Sequence, residues 1–451
     1  MGKRGLISVL IVSLFVTSIF AVSDYSELPE ENTVFFADSE PELLISAGSS
    51  TGHVNGSEIE WTPQGVVIAG DTRNNLNLGG IQLQATSAYN QVVDADSYVA
   101  MIDEQGNWQW AVMPTATQGL TFIETMSTDV TGDIYIGGTV LGQVAFGSTP
   151  NSPVIQSQNL DGFIAKLDSS GQWMWATSFI TATNNDSNNS VVTGIDFDPY
   201  SGNLIVVGTH QGPTDFGGIV QTSSDNDMFM ASIDTNSGTL NSVSTAGGIG
   251  NDRSGGVVVD SYGNIWQTGT TSGTFSGNGK THQALSQADT VLVKWSQAGV
   301  VQSVKGFASA AGEINIPEDI TISANDDIII GGVFLGSMDA GNQKTLTGKG
   351  SGDAYVVKVA NNGQTDWAVS AGSSSATERA YAVEVTSTGD VMVGGLISGS
   401  ADFGIHYVTS NGGLDLYMAK LTGSGDWDWV ENLGSTTDDL FADLTVNGTD
   451  I

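Results

Sequence analysis

A glycine that closes a short apolar run recurs six times, as Gly70, Gly138, Gly208, Gly269, Gly332 and Gly395, at intervals of 68, 70, 61, 63 and 63 residues. Such self-similarity constrains a chain more tightly than composition, because each unit must bury its apolar face against a copy of itself. Other offsets travel with the glycine. Eight residues on stands an apolar residue followed by glycine: Leu78-Gly79, Phe146-Gly147, Phe216-Gly217, Ala340-Gly341 and Phe403-Gly404, with the fourth unit shortened to six residues at Phe275. An aspartate precedes the next apolar run in every unit, as Asp96, Asp161, Asp227, Asp289, Asp353 and Asp415. Fourteen residues beyond it, four units carry a tryptophan: Trp110, Trp175, Trp367 and Trp429.

Within a unit, four short runs alternate apolar and polar residues, the period of a half-buried strand. In the second unit these are strand a near Met126-Val130, b at Asp133-Gly137, c at Phe163-Leu167 and d at Trp173-Thr177, with tight turns at Thr131-Gly132 and Ser169-Ser170-Gly171. No long apolar pattern of period 3.6 occurs. The expected fold is therefore all-β, a β-propeller of four-stranded blades. The blade repeats fall near 57–112, 122–178, 190–244, 254–306, 316–371 and 380–432. Leu43 to Ser50 matches the strand-d stretch Trp367 to Ser374, Thr33 to Ala37 falls where a strand c belongs, and Leu440 to Val446 repeats strand a. A seventh blade shared by residues 32–46 and 440–451 would close the ring across the termini and leave no open edge; six blades is the alternative. Strand b of that blade should begin where the chain stops at Ile451, so it has three strands or the reading frame continues.

The remaining expectations come from composition. Lys3 and Arg4 precede an apolar run from Leu6 to Phe20, and Ala21-Val22-Ser23 offers small residues for a peptidase. This is the pattern of a secretory leader at 1–23, cleaved after Ser23, which places residues 24–451 outside the cell or on its surface as a single domain. There is no cysteine, so the core must hold without disulfides. A net charge of −36 excludes nucleic acid and anionic membranes as partners.

The run Gly132-Asp133-Ile134-Tyr135-Ile136-Gly137-Gly138-Thr139, with the Phe-Gly step and Asp161 to Ala176 after it, resembles the SBBP repeat of bacterial and archaeal exported proteins. The resemblance covers residues 32–451. It implies a seven-bladed β-propeller displayed outside the cell, and no shared activity. Lys166 to Gly171 followed by tryptophan is similar, more weakly, to the tryptophan-docking repeats of quinoprotein dehydrogenases, whose units lack the roughly 20-residue b–c segment found here.

No residues suggest catalysis. The six repeated aspartates are the candidate metal ligands, with calcium as the ion, but an aspartate at a loop-to-strand junction equally caps free amides. Ser223-Ser224-Asp225-Asn226-Asp227 and Asn184 to Asn189 are rich in hard oxygen but lack the calcium-loop pattern. His53, His210, His282 and His406 occupy non-equivalent positions and carry no zinc spacing. Gly279-Lys280-Thr281 lacks the upstream glycine of a phosphate loop, and no cofactor is expected. The a–b and c–d turns are short, whereas long segments at 71–95, 139–160 and 178–190 follow strands b and d. Recognition of a carbohydrate or protein ligand on the d–a and b–c rim, by a non-enzymatic binding or display module, is the reading these loops support. A structural surface component or a quinoprotein-like or lyase-type enzyme is the alternative.

Overall fold

The computed structural model describes residues 8–14, 32–38, 40–47, 54–72, 75–86, 96–182, 188–374, 377–436 and 438–447. The short alternating runs pair with their sequence neighbours, which is the cheapest way to satisfy backbone groups in a chain of tight turns. Among the described residues the strands form antiparallel sheets of four strands, some joined edge to edge into sheets of six and ten, in an all-β propeller arrangement. The a strands are Val54–Thr62, the second half of Thr115–Thr128, Asn189–Asp198, Asp252–Val259, Asn315–Ile322, Arg379–Val385 and Leu440–Asn447. Side chains from all seven line one central cavity, so strand a is innermost. Each a strand carries a bulge at an equivalent place, such as Ser57 between Gly56 and Glu58, or Glu124 between Ile123 and Thr125. A bulge sharpens the local twist and re-aims the side chains that follow.

Two features join blade to blade. The first is the d-strand tryptophan. Trp110 Nε1 donates to Ser169 O at 3.3 Å, Trp175 to Thr235 O at 3.0 Å and Trp367 to Gly423 O at 3.1 Å, each in the c–d turn of the following blade. The indole covers the turn glycine so closely that a Cβ on Gly171 would stand 2.7 Å from Trp110. With a φ of 80°, Gly171 also sits where an L side chain is strained.

The second feature corrects the expectation of long b–c loops. These segments continue the b–c ladder as hairpin arms: Ile134–Ala145 pairs with Val154–Leu167, Asn203–Asp215 with Val220–Asp234, and Val391–Phe403 with His406–Leu421. The Phe-Gly step lies at the arm's tip. Phe146, Phe216 and Phe403 are wholly buried, with Phe146 5.1 Å from Trp173 and Phe403 5.0 Å from Trp427 between ring centroids. The arm then clasps the preceding blade: Ile180 pairs with Asp215, Gly248 with Phe275 and Ala308 with Asp339. Alternating apolar residues such as Val140, Val144 and Ile155 drive this, since a solvated loop would leave them in water.

The seventh sheet contains the expected strands, Asn32–Asp38, Glu40–Ala47 and Leu440–Asn447. A fourth strand in this sheet comes from within the expected leader. Ser8–Leu14 lies between them, with Val12 opposite Val34 and Leu10 opposite Thr445. An apolar run can serve equally as a leader core or as a strand paired on both edges, and two strand edges are available to receive it. The rest of the expected leader lies outside the described residues.

Candidate acidic channel

The seven bulges set equivalent triplets around the axis. They are Glu58-Ile59-Glu60, Thr125-Met126-Ser127, Gly194-Ile195-Asp196, Gly256-Val257-Val258, Asp319-Ile320-Thr321, Ala382-Val383-Glu384 and Asp443-Leu444-Thr445. Strand alternation sends the middle, apolar residue into the blade core, where all seven are buried. The flanking residues face the axis and the next blade. Together with the bulge residues they enclose a cavity of about 540 Å³.

Some of these polar groups hold neighbouring blades together. The Ile59 amide donates to Asp443 Oδ2 at 3.1 Å, joining the last described strand to the first full blade. The Val383 amide donates to Asp319 Oδ2 at 2.8 Å and the Ile195 amide to Thr125 Oγ1 at 3.2 Å, while Glu58 accepts from the Met126 amide. Where the third blade has Gly194, Asp196 two residues on does the same work, its Oδ2 accepting from the Val259 amide at 2.7 Å.

These bonds do not balance the charge. Eight carboxylates line the cavity: Glu58, Glu60, Glu124, Asp196, Glu318, Asp319, Glu384 and Asp443. Among the described residues their one basic partner is Arg379, whose Nη1 lies 2.9 Å from Glu318 Oε1. Burial raises every one of them, and repulsion from neighbouring carboxylates adds to it at Glu58, Glu60, Glu384 and Asp443. Asp196 is pushed up to about 7, Asp319 to about 6, and Glu384 and Asp443 to about 8. At neutral pH the channel therefore holds protons. In the sequence these carboxylates do not stand out from the acidic background. The signal was present as polar–apolar–polar triplets in the a strands, but only ring closure makes residues from blades 1, 5, 6 and 7 neighbours.

The six repeated aspartates stand elsewhere, each at the start of its own c strand, and the structure does not bring them together. Asp161 Oδ1 accepts from the Thr181 amide at 2.9 Å and from its hydroxyl at 2.6 Å, and Oδ2 from Ser157 Oγ. Asp289 accepts from the Leu285 and Ser309 amides, Asp353 from those of Lys349 and Gly350, and Asp415 from Asn411 and the Asn432 side chain. Asp96 accepts from the Thr86 amide, and Asp227 lies near that of Gly248. Among the described residues no three acidic or histidine side chains are placed to hold a metal. Asp161→Ala should strand the Thr181 donors and cost about 1–3 kcal/mol, which denaturant unfolding would register; a shift below about 0.5 kcal/mol would deny Asp161 this role.

His210 is buried against Phe216 and Phe229, which lowers it to about 4 and keeps it neutral. His282, Ser286 and Asp289 supply the residue types of a triad without its geometry. Ser286 Oγ donates to Asp289 at 2.5 Å, and His282 Nε2 lies 3.2 Å from the same carboxylate, so no base faces the hydroxyl. His53 lies outside the described residues, and none of the described histidines lines the central cavity. Asn188, which begins the N-glycosylation sequon Asn188-Asn189-Ser190, is 4% exposed and donates to Ala182 O at 2.7 Å, so in the folded chain it is closed to a glycosyltransferase.

No protein-family model matches the chain, and no curated protein does. Solved structures of similar shape include a protein of unknown function from Bacteroides caccae, at 8% identity and a TM-score of 0.39 over 77% of this chain and 94% of that one. A europium-containing methanol dehydrogenase matches at 8% identity and 0.41, over 90% and 76% of the two chains. The periplasmic gluconolactonase PpgL of Pseudomonas aeruginosa matches at 10% and 0.38, over 84% and 99%.

Proposed function

We propose that the chain is an exported, non-enzymatic binding module whose ligand presents positive charge to the central channel. The observation that carries this reading is the eight carboxylates facing one arginine around a cavity of about 540 Å³. Crowding like charges in a buried cavity costs stability. A cation entering the channel would release its protons and recover that cost. An anionic substrate or cofactor meets the opposite field, which weighs against the quinoprotein-like alternative. Polar groups on the d–a rim, including the exposed Arg253 and Asn251 in a groove of about 370 Å³ between blades 4 and 5, would then contact the neutral part of the ligand.

The test is calorimetric titration with a series of di- and polyamines and basic peptides, beside uncharged diols of equal length, at pH 6 and pH 8. Amines should bind, more tightly at pH 8 where fewer protons must be displaced, and Glu60→Gln with Glu384→Gln should weaken them at least tenfold. Binding of the diols alone, or binding indifferent to the double substitution, would move the site to the rim. No binding across the series would favour a structural surface component.

A further inference from the structure

A second acidic place lies away from the channel, where the third blade's hairpin arm meets the start of the fourth blade. Asp252 opens the fourth a strand and is 0% exposed. Thr271 and the Gly248 amide lie near its carboxylate, but neither reaches hydrogen-bonding geometry, and both oxygens are buried without a donor. A buried carboxylate in that condition is costly unless something else satisfies it. The charges it faces are Asp227 and Asp225, both negative.

The segment opposite is Ser223-Ser224-Asp225-Asn226-Asp227, the hard-oxygen run already evident in the sequence. It is held against Asp252 on both sides. Asn226 Nδ2 donates to Asn251 Oδ1 at 3.0 Å, and the Asn251 amide in turn donates to Ser272 Oγ at 2.9 Å. Asp227 lies over the backbone of Gly247, where a Cβ would stand 2.2 Å from Oδ1, so glycine is what lets the carboxylate come this close. Among the described bonds Asp227 has no side-chain partner, and its carboxylate lies near the Gly248 amide. Its equivalents Asp161 and Asp289 are each ringed by donors. At this junction the repeated aspartate lacks the ring of donors seen at Asp161 and Asp289, and a second carboxylate faces it.

We propose that Asp252 and Asp227 bind a calcium ion at the junction of blades 3 and 4, with Asp225, backbone carbonyl oxygens and water completing the shell. Calcium suits the site because it takes 6–8 oxygen ligands in irregular geometry, and because extracellular modules bind it at about 10⁻⁴–10⁻³ M. Magnesium, which demands a tight octahedron, suits it less. Three carboxylates are not yet gathered around one point, so two carboxylates with neutral oxygens are the core of the site. The site is independent of the channel and of the ligand proposed for it.

The experiment is thermal unfolding of chelator-treated protein against CaCl₂ or MgCl₂ up to 10 mM at matched ionic strength. It compares the wild type with Asp252→Asn, Asp227→Asn and the channel variant Glu384→Gln. Calcium at ~100 times its Kd should raise the wild-type Tm by about 3 °C, magnesium by less. The rise should vanish in Asp252→Asn and Asp227→Asn and persist in Glu384→Gln. Should either aspartate variant not fold, Asp225→Asn, on the partly exposed arm, should lower the apparent calcium affinity at least threefold. No calcium-specific rise in the wild type, or an equal rise in the Asp252→Asn protein, overturns the proposal and leaves Asp227 and Asp252 as a pair that shares a proton.

Discussion

Raising the pH from 5 to 8.5 in the presence of a chelator is expected to destabilise the protein by on the order of 5 kcal/mol, the reverse of the usual behaviour of an acidic protein near neutrality. Asp196, Asp319, Glu384 and Asp443 in the channel, with Asp227 and Asp252 outside it, have folded-state values pushed up to between about 6 and 8. Unfolded, the same groups titrate near 4. The native state therefore binds more protons than the unfolded one throughout this window. Stability contributed by such groups is fully present below the unfolded value and is lost as pH rises through the folded one. His210 works the other way, since its lowered value costs stability as pH falls through about 6.5 to about 4, but it is one group against six. Asp129, Asp168, Asp260 and Asp289, lowered by the hydrogen bonds of their turns and caps, lose their contribution only below about pH 4. The optimum should fall between about pH 4.5 and 6, and Glu60→Gln with Glu384→Gln should flatten the slope above it. A Tm that is constant or climbs from pH 5 to 8.5 would mean that the channel carboxylates are solvated and carry no strain.

Removing residues 440–451 should cost about 6 kcal/mol, or about 6 °C in a chain of this length. Phe441 and Leu444 pack against Met392, Leu396, Leu416 and Met418 of the sixth blade, and each buried side chain of this kind contributes about 2–3 kcal/mol. The fit is close: a Cβ on Gly394 would stand 2.1 Å from the Phe441 ring. Truncation also removes Asp443 from the Ile59 amide, stranding a donor in the first blade 384 residues away. Phe441→Ala alone should give about half or more of the loss, about 3–5 kcal/mol. Both are read by thermal or denaturant unfolding. Wild-type melting of the truncated protein would mean that the ring closes over six blades and that residues 440–447 only decorate it.

The a, b, c and d strands, their turns and the near-constant unit length were legible in the sequence because they rest on local rules: period-two alternation, turn glycines and fixed offsets. Leu440 to Val446 and Thr33 to Ala37 could be assigned to one sheet for the same reason, since each repeats a pattern met elsewhere in the chain. The strand between them could not. Ser8–Leu14 reads by local pattern as the apolar core of a leader; its pairing with Asn32–Asp38 and Leu440–Asn447 is a feature of the tertiary structure. The b–c segments also misled, because Val140, Val144 and Phe146 look like residues of a long loop until the preceding blade's d strand supplies a place to bury and pair them.

For function the division is sharper. That Asp161 and its equivalents satisfy backbone and side-chain donors was accessible from their recurrence, because a group present in every unit serves the unit. Glu60, Glu384, Asp319 and Asp443 lie as much as 383 residues apart in the chain and look like ordinary members of an acidic background. The bulge in each a strand turns them toward the axis, and closure of the ring brings them within reach of one another's charge. Local sequence dictates which face of a strand is polar; the electrostatic energy of a channel depends on distances between strands, and those exist only once the blades have met.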